Sequence, residues 1–387
     1  MHVLFAHHEP IDPGKARWVA MLRTLHAVAG KARVTWFCAD KEHRVRDYAR
    51  DHLGIQLSSQ LSIRTLPAVH KKMGLTLNSV FFRGLRRALQ GTPADVLWLR
   101  SDKLAAHVAR SKVGPPLVYE AHLIGELWSR DRGDPPARAQ RLHELEASIY
   151  GRAAGVAAIT RGLMDEIESL FAFRGPSAVV PSAVDTSVFK PCWTGASGNL
   201  VAYVGTLQFW KGLETLLAAL AQAPELRLRL IGGSQQDLAA MRTRLAELGL
   251  VDRVELVGRV PQTRLPGLLQ DVACACHPLP GGLSISARFT SPLKIFEYMG
   301  LGLPIVAADV PSIREVLQSN SNALLYAPGD AAALAAALLQ VCTDPALARR
   351  LAAGAAASAA TCSYEHRAEK LMDLFTRATA AGKATSG

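Results

Sequence analysis

The sequence predicts an α/β protein built from two doubly wound, Rossmann-like parallel-sheet domains. Three observations predict it. The chain has 387 residues, too long for one ordinary core and comfortable for two. Short apolar runs alternate with longer segments of helical period along nearly its whole length. The alternation pauses near residues 181–198, where PSAVDTSVFKPCWTGASG gathers Pro, Ser and Gly as a linker does.

Each element follows from its residues. In the first half HVLFA (2–6), RVTWFC (33–38), DVLWLR (95–100), PLVYEA (116–121), GVAAIT (155–160) and SAVVPS (177–182) read as strands. In the second half LVAYVG (200–205), LRLRLIG (226–232), RVELVG (253–258), VACAC (272–276), PIVAA (304–308) and NALLY (322–326) do so. Helical patterns such as GLETLLAALAQA (212–223) and DLAAMRTRLAELG (237–249) lie between most of them. The Ala-rich segment 331–361 reads as two helices, and SYEHRAEKLMDLFTRAT (363–379) as the last one. The expected division is a first domain at 1–185, a second at 186–362, a terminal helix at 363–380 and a disordered tail at 381–387. Two such domains in tandem set their sheet crevices across a cleft. Ligands of such sheets bind at the carboxyl ends of the strands, so the cleft is the expected site.

Composition narrows the classes. Hydrophobic residues make up 49% and charged residues 20%, which favours a globular chain over a disordered one. No apolar run reaches the roughly 18 residues of a membrane span. The opening MHVLFAHHEP lacks the basic and apolar regions of a signal peptide. The expected location is therefore cytoplasmic, peripheral on the inner face of the membrane if the chain binds lipid. Cys274, Cys276 and His277 lie close together, but their spacing suits a buried strand better than zinc. No Asp-x-Asp offers a clamp for a divalent metal, so no metal is expected. Residues 1–190 carry 27 Lys and Arg against 18 Asp and Glu; the remainder carries 17 against 15. A basic first half suits phosphates or acidic headgroups. Nucleic acid is not expected, because aromatics at 6% form no stacking ladder.

Two turns carry chemistry. In VGTLQFWKGLETLL (204–217) a strand ends at Gly205, and Thr206 and the loop lead to Lys211 at a helix start. Lysine beside the unpaired amides of a helix start makes an anion site; a solvated loop lysine is the alternative. In RFTSPLKIFEYM (288–299) Thr290 or Ser291 is placed to cap a helix, and Pro292 suits its first turn. Its amides around Leu293, with Lys294, form a second anion site. Glu297 lies one turn on. A carboxylate there can accept two hydrogen bonds from a vicinal diol such as ribose, or it can face solvent.

These segments resemble the nucleotide-binding half of family 4 retaining glycosyltransferases, of GT-B fold, over most of residues 110–380. VGTLQFWKG is similar to the family's strand, loop and donor-phosphate lysine, SPLKIFEYMGLGLPIVAAD to the end of its paired-glutamate motif, and PSAVDTSVFKP (181–191) to its crossover. SYEHRAEKL is similar to its closing helix, which crosses back to the first domain. The resemblance implies a hexosyltransferase that takes a UDP- or GDP-linked sugar, with retention and without metal. Gly205, Thr206, Lys211, Arg259, Thr290, Ser291, Pro292, Leu293, Lys294 and Glu297 would contact the donor, with Lys211 and His122 acting on the transferred group. His122, in YEAHL (119–123), matches a histidine that touches the donor sugar in the family; by position alone it is as well a surface histidine. The sequence departs at Phe289, where the family has its first glutamate, at Thr206, where many members have arginine, and at Ser182-Ala183, usually Asn-Gly.

The acceptor is less defined. Gly14, Lys15 and Arg17, in the loop HHEPIDPGKARW (7–18), stand where an acceptor or donor phosphate would approach. In KKMGLTLNSVFFRGLRRALQG (71–91) Leu77, Phe81, Leu85 and Leu89 recur in steps of four amid Lys71, Lys72, Arg83, Arg86 and Arg87. That pattern suits either a helix on an anionic membrane or a helix packed on its own sheet. The expected acceptor is a glycan or lipid-linked sugar of cell-surface polysaccharide, lipopolysaccharide or glycolipid synthesis. Alternatives are an inactive GT-B scaffold and an NAD-dependent oxidoreductase; for the latter no Gly-x-Gly-x-x-Gly turn follows a strand.

Overall fold

The computed structural model describes residues 1–12, 15–70, 76–196 and 198–384. The chain forms two compact units. One comprises Met1–Pro181 with the chain from Tyr364 onward, the other Ser182–Ser363.

The first unit contains β1 (His2–His7), β2 (Arg33–Cys38), β3 (Leu61–Thr65), a separate antiparallel ribbon of β4 (Val69–His70) and β5 (Thr76–Leu77), then β6 (Val96–Leu99), β7 (Leu117–Ala121), β8 (Gly155–Ala158) and β9 (Ser177–Val179). Its seven-stranded sheet runs β3-β2-β1-β6-β7-β8-β9, every pair parallel. Central strands read as continuous apolar runs because both their faces are covered. Thus Val3 pairs with Val34 on one side and Val96 on the other, all buried. β3 was not expected from the sequence: LSIRT buries Leu61 and Ile63 but exposes Ser62, Arg64 and Thr65 at the sheet edge, so it shows no apolar run.

Two helices of this unit bear on the reading above. The helix Asn78–Gly91 begins after Leu77, which belongs to β5. Phe81, Leu85 and Leu89 are buried in the unit, while Arg83, Arg86 and Arg87 are exposed. The apolar face is spent on the protein's own core and is not free to lie in a bilayer. Lys71 and Lys72 lie outside the described residues. The terminal helix Tyr364–Ala384 continues four residues into the expected tail, since Ala381 and Ala384 favour helix; residues 385–387 lie outside the described residues. Its Leu371, Leu374, Phe375 and Ala378 join the core of the first sheet, with the Phe375 ring 5.9 Å from that of Trp98.

The second unit contains β10 (Leu200–Val204), β11 (Arg227–Ile231), β12 (Val254–Gly258), β13 (Cys274–His277), β14 (Ile305–Ala308) and β15 (Leu324–Tyr326). The order is β12-β11-β10-β13-β14-β15, again all parallel. Cys274 and Cys276 are buried strand residues. Each sheet has one point where the order reverses, between β1 and β6 and between β10 and β13. In open α/β sheets ligands bind there, outside the carboxyl ends of the strands.

Candidate functional site

In the second unit the switch point is built around two glycines and two lysines. Gly205 follows β10 at φ 148°. A Cβ on it would lie 2.7 Å from Lys294 Nζ and 3.3 Å from Tyr203 Oη. The missing side chain thus lets the lysine head press against the backbone at the strand end. The short turn Phe209–Lys211 follows, and Gly212 at φ 76° precedes the helix Leu213–Gln222. A Cβ on Gly212 would sit 1.4 Å from the Pro278 carbonyl oxygen, so the Lys211 turn is seated directly on the end of β13.

The charges here lack ordinary partners. Lys294 is 8% exposed, and its Nζ has no hydrogen-bond partner. It lies 3.8 Å from the centre of the Tyr203 ring, a cation–π contact. Burial, and then the neighbouring Lys211, push its pKa far below the ordinary lysine value; Cys276 and Glu297 offset this only in part. Lys211 Nζ lies 3.6 Å from the centre of the Trp210 ring, and burial lowers its pKa to about 8. His277, fully buried at the end of β13, has no partner on either ring nitrogen. Burial, then Lys294, then Lys211 hold it neutral. A buried cation without a counter-charge is costly. An anion bound at this point would relieve Lys294 and Lys211 together. The sequence offers His277 only beside Cys274 and Cys276, as part of a zinc spacing that suits a buried strand better; its signal as a site residue is a polar side chain at the carboxyl end of a central strand.

The helix Leu293–Gly300 starts one residue later than expected. Pro292 is its N-cap, at φ −72° and ψ 119°, and no side chain caps it. Thr290 and Ser291 therefore do not cap. Ser291 is engaged instead with Ser182: its Oγ accepts from Ser182 N at 2.8 Å, and its carbonyl accepts from Ser182 Oγ at 2.6 Å. The first-turn amides of Leu293 and Lys294 are left without a side-chain acceptor. Glu297 does not face solvent; it is 6% exposed and accepts a hydrogen bond from Gln262 Nε2. In the sequence Gln262 has the look of a loop residue, and nothing local marks it as the partner of Glu297. Thr206 offers its carbonyl to Tyr203 Oη at 3.0 Å. Arg259 is exposed after β12, outside the buried lysine cluster. Phe289 is 2% exposed, so the place of the family's first glutamate holds a core ring.

In the first unit a cavity of about 340 Å³ lies at the switch point, lined among others by His7, His8, Arg17, Arg100, His122 and Glu146. His122 Nε2 lies 2.9 Å from Arg100 Nε, 2.8 Å from Arg100 Nη2 and 2.9 Å from Glu120 Oε1. Burial and then Arg100 lower the His122 pKa to about 4, so the ring is neutral at ordinary pH. Burial would raise the Glu120 carboxyl, but Arg100, Arg367 and His122 outweigh it and hold it far below the usual carboxylate range. Glu146 accepts from Gly125 N at 2.6 Å, and burial still raises its pKa to about 7. Arg17 pairs with Glu9, and Lys15 with Asp12 at 3.4 Å, so both loop cations already have carboxylate neighbours. Gly14 lies outside the described residues.

Comparison with known proteins supplies the context for this geometry. Residues 15–183 match the family described as "Glycosyl transferase 4-like domain", and residues 198–344 match "Glycosyl transferases group 1". A D-inositol 3-phosphate glycosyltransferase of Nocardioides sp. is 29% identical over 78% of this chain and 72% of its own length. A glycogen synthase of Mycobacterium tuberculosis is 26% identical over 70% of this chain and 67% of its own. Among solved structures, the sucrose-phosphate synthase of Thermosynechococcus elongatus superposes with a TM-score of 0.79 at 20% identity, covering 98% of this chain and 99% of the other. Anabaena Alr3699/HepE in complex with UDP-glucose superposes with a TM-score of 0.74 at 18% identity, covering 97% and 99%.

Proposed function

Since the chain belongs to the group 1 glycosyltransferases, of GT-B architecture, we propose that it moves a hexosyl group from a UDP- or GDP-linked sugar to an acceptor hydroxyl, with retention and without metal. The observation that carries this reading is the orphaned Lys294 ammonium pressed against Gly205 beside Lys211. Two lysines at a sheet switch point, Lys294 buried and Lys211 half-buried, fit a diphosphate. UDP and UDP-glucose in the complexes of a protein of like fold support the same class of donor. Glu297 holds the ribose diol, and the free first-turn amides of Leu293 and Lys294 receive phosphate oxygens.

The chemistry then follows from charge. The bond from the sugar's anomeric carbon to the leaving phosphate oxygen breaks, and negative charge builds on the diphosphate. Lys211, Lys294 and the helix amides stabilise that charge. The acceptor oxygen forms the new bond on the same face, and its proton passes to the departing phosphate. His122, neutral and at the edge of the first-unit cavity, contacts the sugar. The acceptor belongs to cell-surface polysaccharide, lipopolysaccharide or glycolipid synthesis. The test is turnover of UDP- and GDP-sugars by purified protein, with and without EDTA. Release of nucleoside diphosphate that survives EDTA supports the reading. Binding without turnover indicates a scaffold, and a loss that magnesium restores overturns the metal-free mechanism.

A further inference from the structure

We infer that Arg367, carried on the terminal helix, is a positioning residue for His122, acting through Glu120 to fix which imidazole nitrogen holds the proton. This rests on the reading of His122 as a sugar contact. Arg367 is 5% exposed and spends its guanidinium on three separate elements. Its Nε donates to Thr24 Oγ1 at 3.0 Å, its Nη1 to the carbonyls of Val180, at 2.5 Å, and Pro181, and its Nη2 to Glu120 Oε1. A planar, always charged fork suits this set of acceptors, as a lysine would not. Glu120 is fully buried; its Oε2 also accepts from Trp98 Nε1 at 3.0 Å.

His122 Nε2 stands between two neighbours with opposite demands. Arg100 can only donate, so its approach at 2.8–2.9 Å requires a lone pair on Nε2. Glu120 Oε1, at 2.9 Å, requires a proton there. Which demand prevails depends on how much Glu120 charge is taken up elsewhere. Arg367 and Trp98 take it up. Nε2 then serves Arg100, the proton rests on Nδ1, and Nδ1–H is the group offered to a ligand. A neutral ring matters beside a sugar that gains positive charge as its anomeric bond breaks, since an imidazolium would oppose that charge. Across the cavity His122 faces His7, His8 and Glu9 after β1, Arg17 on the helix Ala16–Ala29, Asp102 and Lys103 on the helix Asp102–Ser111, and Glu146 on the helix Pro136–Tyr150. None of these makes a hydrogen bond to Nε2 among the described residues.

The experiment is nitrogen-15 and proton NMR of the full chain labelled at histidine, with His122 assigned from its absence in His122→Gln. Wild type shows the Nδ1–H tautomer and stays neutral down to about pH 4. Arg367→Gln leaves Glu120 charge for His122, so the midpoint rises by about one unit or more, with the proton on Nε2. Arg367→Lys keeps the charge and restores a low midpoint. Trp98→Phe, which removes one hydrogen bond to Glu120, raises it by a smaller step and serves if Arg367→Gln does not fold. Wild-type titration and tautomer in Arg367→Gln, or an unmoved midpoint in Trp98→Phe, overturns the inference. Activity separates it from the reading beneath: the acid limb of kcat moves with the His122 midpoint while the donor KM stays within about twofold. A moved midpoint with an unmoved pH profile keeps Arg367 as the positioning residue and removes His122 from the sugar.

Discussion

Both units bury cations at the point where their strand order reverses, and they treat them in opposite ways. In the first unit Arg100 and Arg367 surround a fully buried Glu120, and every acceptor they reach belongs to the protein. In the second unit Lys294 has an aromatic face and a glycine backbone but no acceptor. A saturated buried charge holds a structure in one arrangement. An unsaturated one costs stability until something from outside completes it. The contrast separates a positioning device from a binding site without reference to any ligand.

The largest expected effect breaks the comparison directly. Arg367→Met leaves Glu120 buried with one guanidinium fewer and should cost about 3–5 kcal/mol in a denaturant titration. Lys294→Met removes an ammonium that had no partner, so stability should be unchanged or higher. Its cost should appear in turnover instead, about a hundredfold, or 2.7 kcal/mol of transition-state stabilisation. Equal destabilisation by the two substitutions would show that Lys294 is as much a structural cation as Arg367.

Lys211 sharpens the functional side. Lys211→Ala should lower turnover at saturating donor by about tenfold, 1.4 kcal/mol. The pH dependence has a definite sign. The free protein loses the Lys211 proton near pH 8, whereas a bound diphosphate keeps it on by raising the pKa back toward the ordinary value. Donor affinity should therefore fall as pH rises above about 8, and binding there should take up a proton, measurable by calorimetry in buffers of different ionisation enthalpy. Affinity that is flat through this range in wild type would remove Lys211 from the diphosphate.

The sequence made part of this comparison legible. Lys211 follows a strand and a turn, Lys294 follows a Ser-Pro turn at a helix start, and Glu297 sits one turn into an apolar helix, so local pattern is enough to single them out. The saturated cluster was not legible. Glu120 and Arg367 meet across 247 residues, and nothing in either segment names the other. The same limit applies to the helix Asn78–Gly91. Its period of four gives an apolar face, but only the folded unit says that Phe81, Leu85 and Leu89 pack inward. β3 is not legible in the sequence because its apolar residues, Leu61 and Ile63, occupy one face alone.

Glu297 should give a smaller loss. If its carboxylate binds the ribose diol, Glu297→Ala weakens UDP and GDP alike by about fivefold, 1 kcal/mol, the net worth of a typical hydrogen bond. The substitution also removes the partner of Gln262 Nε2, so a general loosening has to be told apart from a lost ligand contact. A 2′,3′-dideoxy nucleotide does this, because it lacks the diol and should bind wild type and variant equally. Matching losses for native and dideoxy ligands would assign Glu297 to the structure, alongside Glu120.

The smallest effect concerns the exposed arginines of the first unit. With Phe81, Leu85 and Leu89 buried, the helix Asn78–Gly91 has no apolar face left to insert, and only Arg83, Arg86 and Arg87 can address an anionic surface. Each basic residue near such a surface contributes about 1 kcal/mol, and the field decays within a Debye length of about 8 Å at physiological salt. Three arginines alone should therefore hold the protein on phosphatidylglycerol vesicles at low salt and release most of it near 0.15 M. Neutral vesicles should not bind it, and Arg83/Arg86/Arg87→Glu should abolish sedimentation at low salt. Sedimentation that persists in high salt would require apolar insertion, and with it an exit of this helix from the core that buries it. No pelleting even at low salt would leave the arginines to the solvent and point to a soluble acceptor.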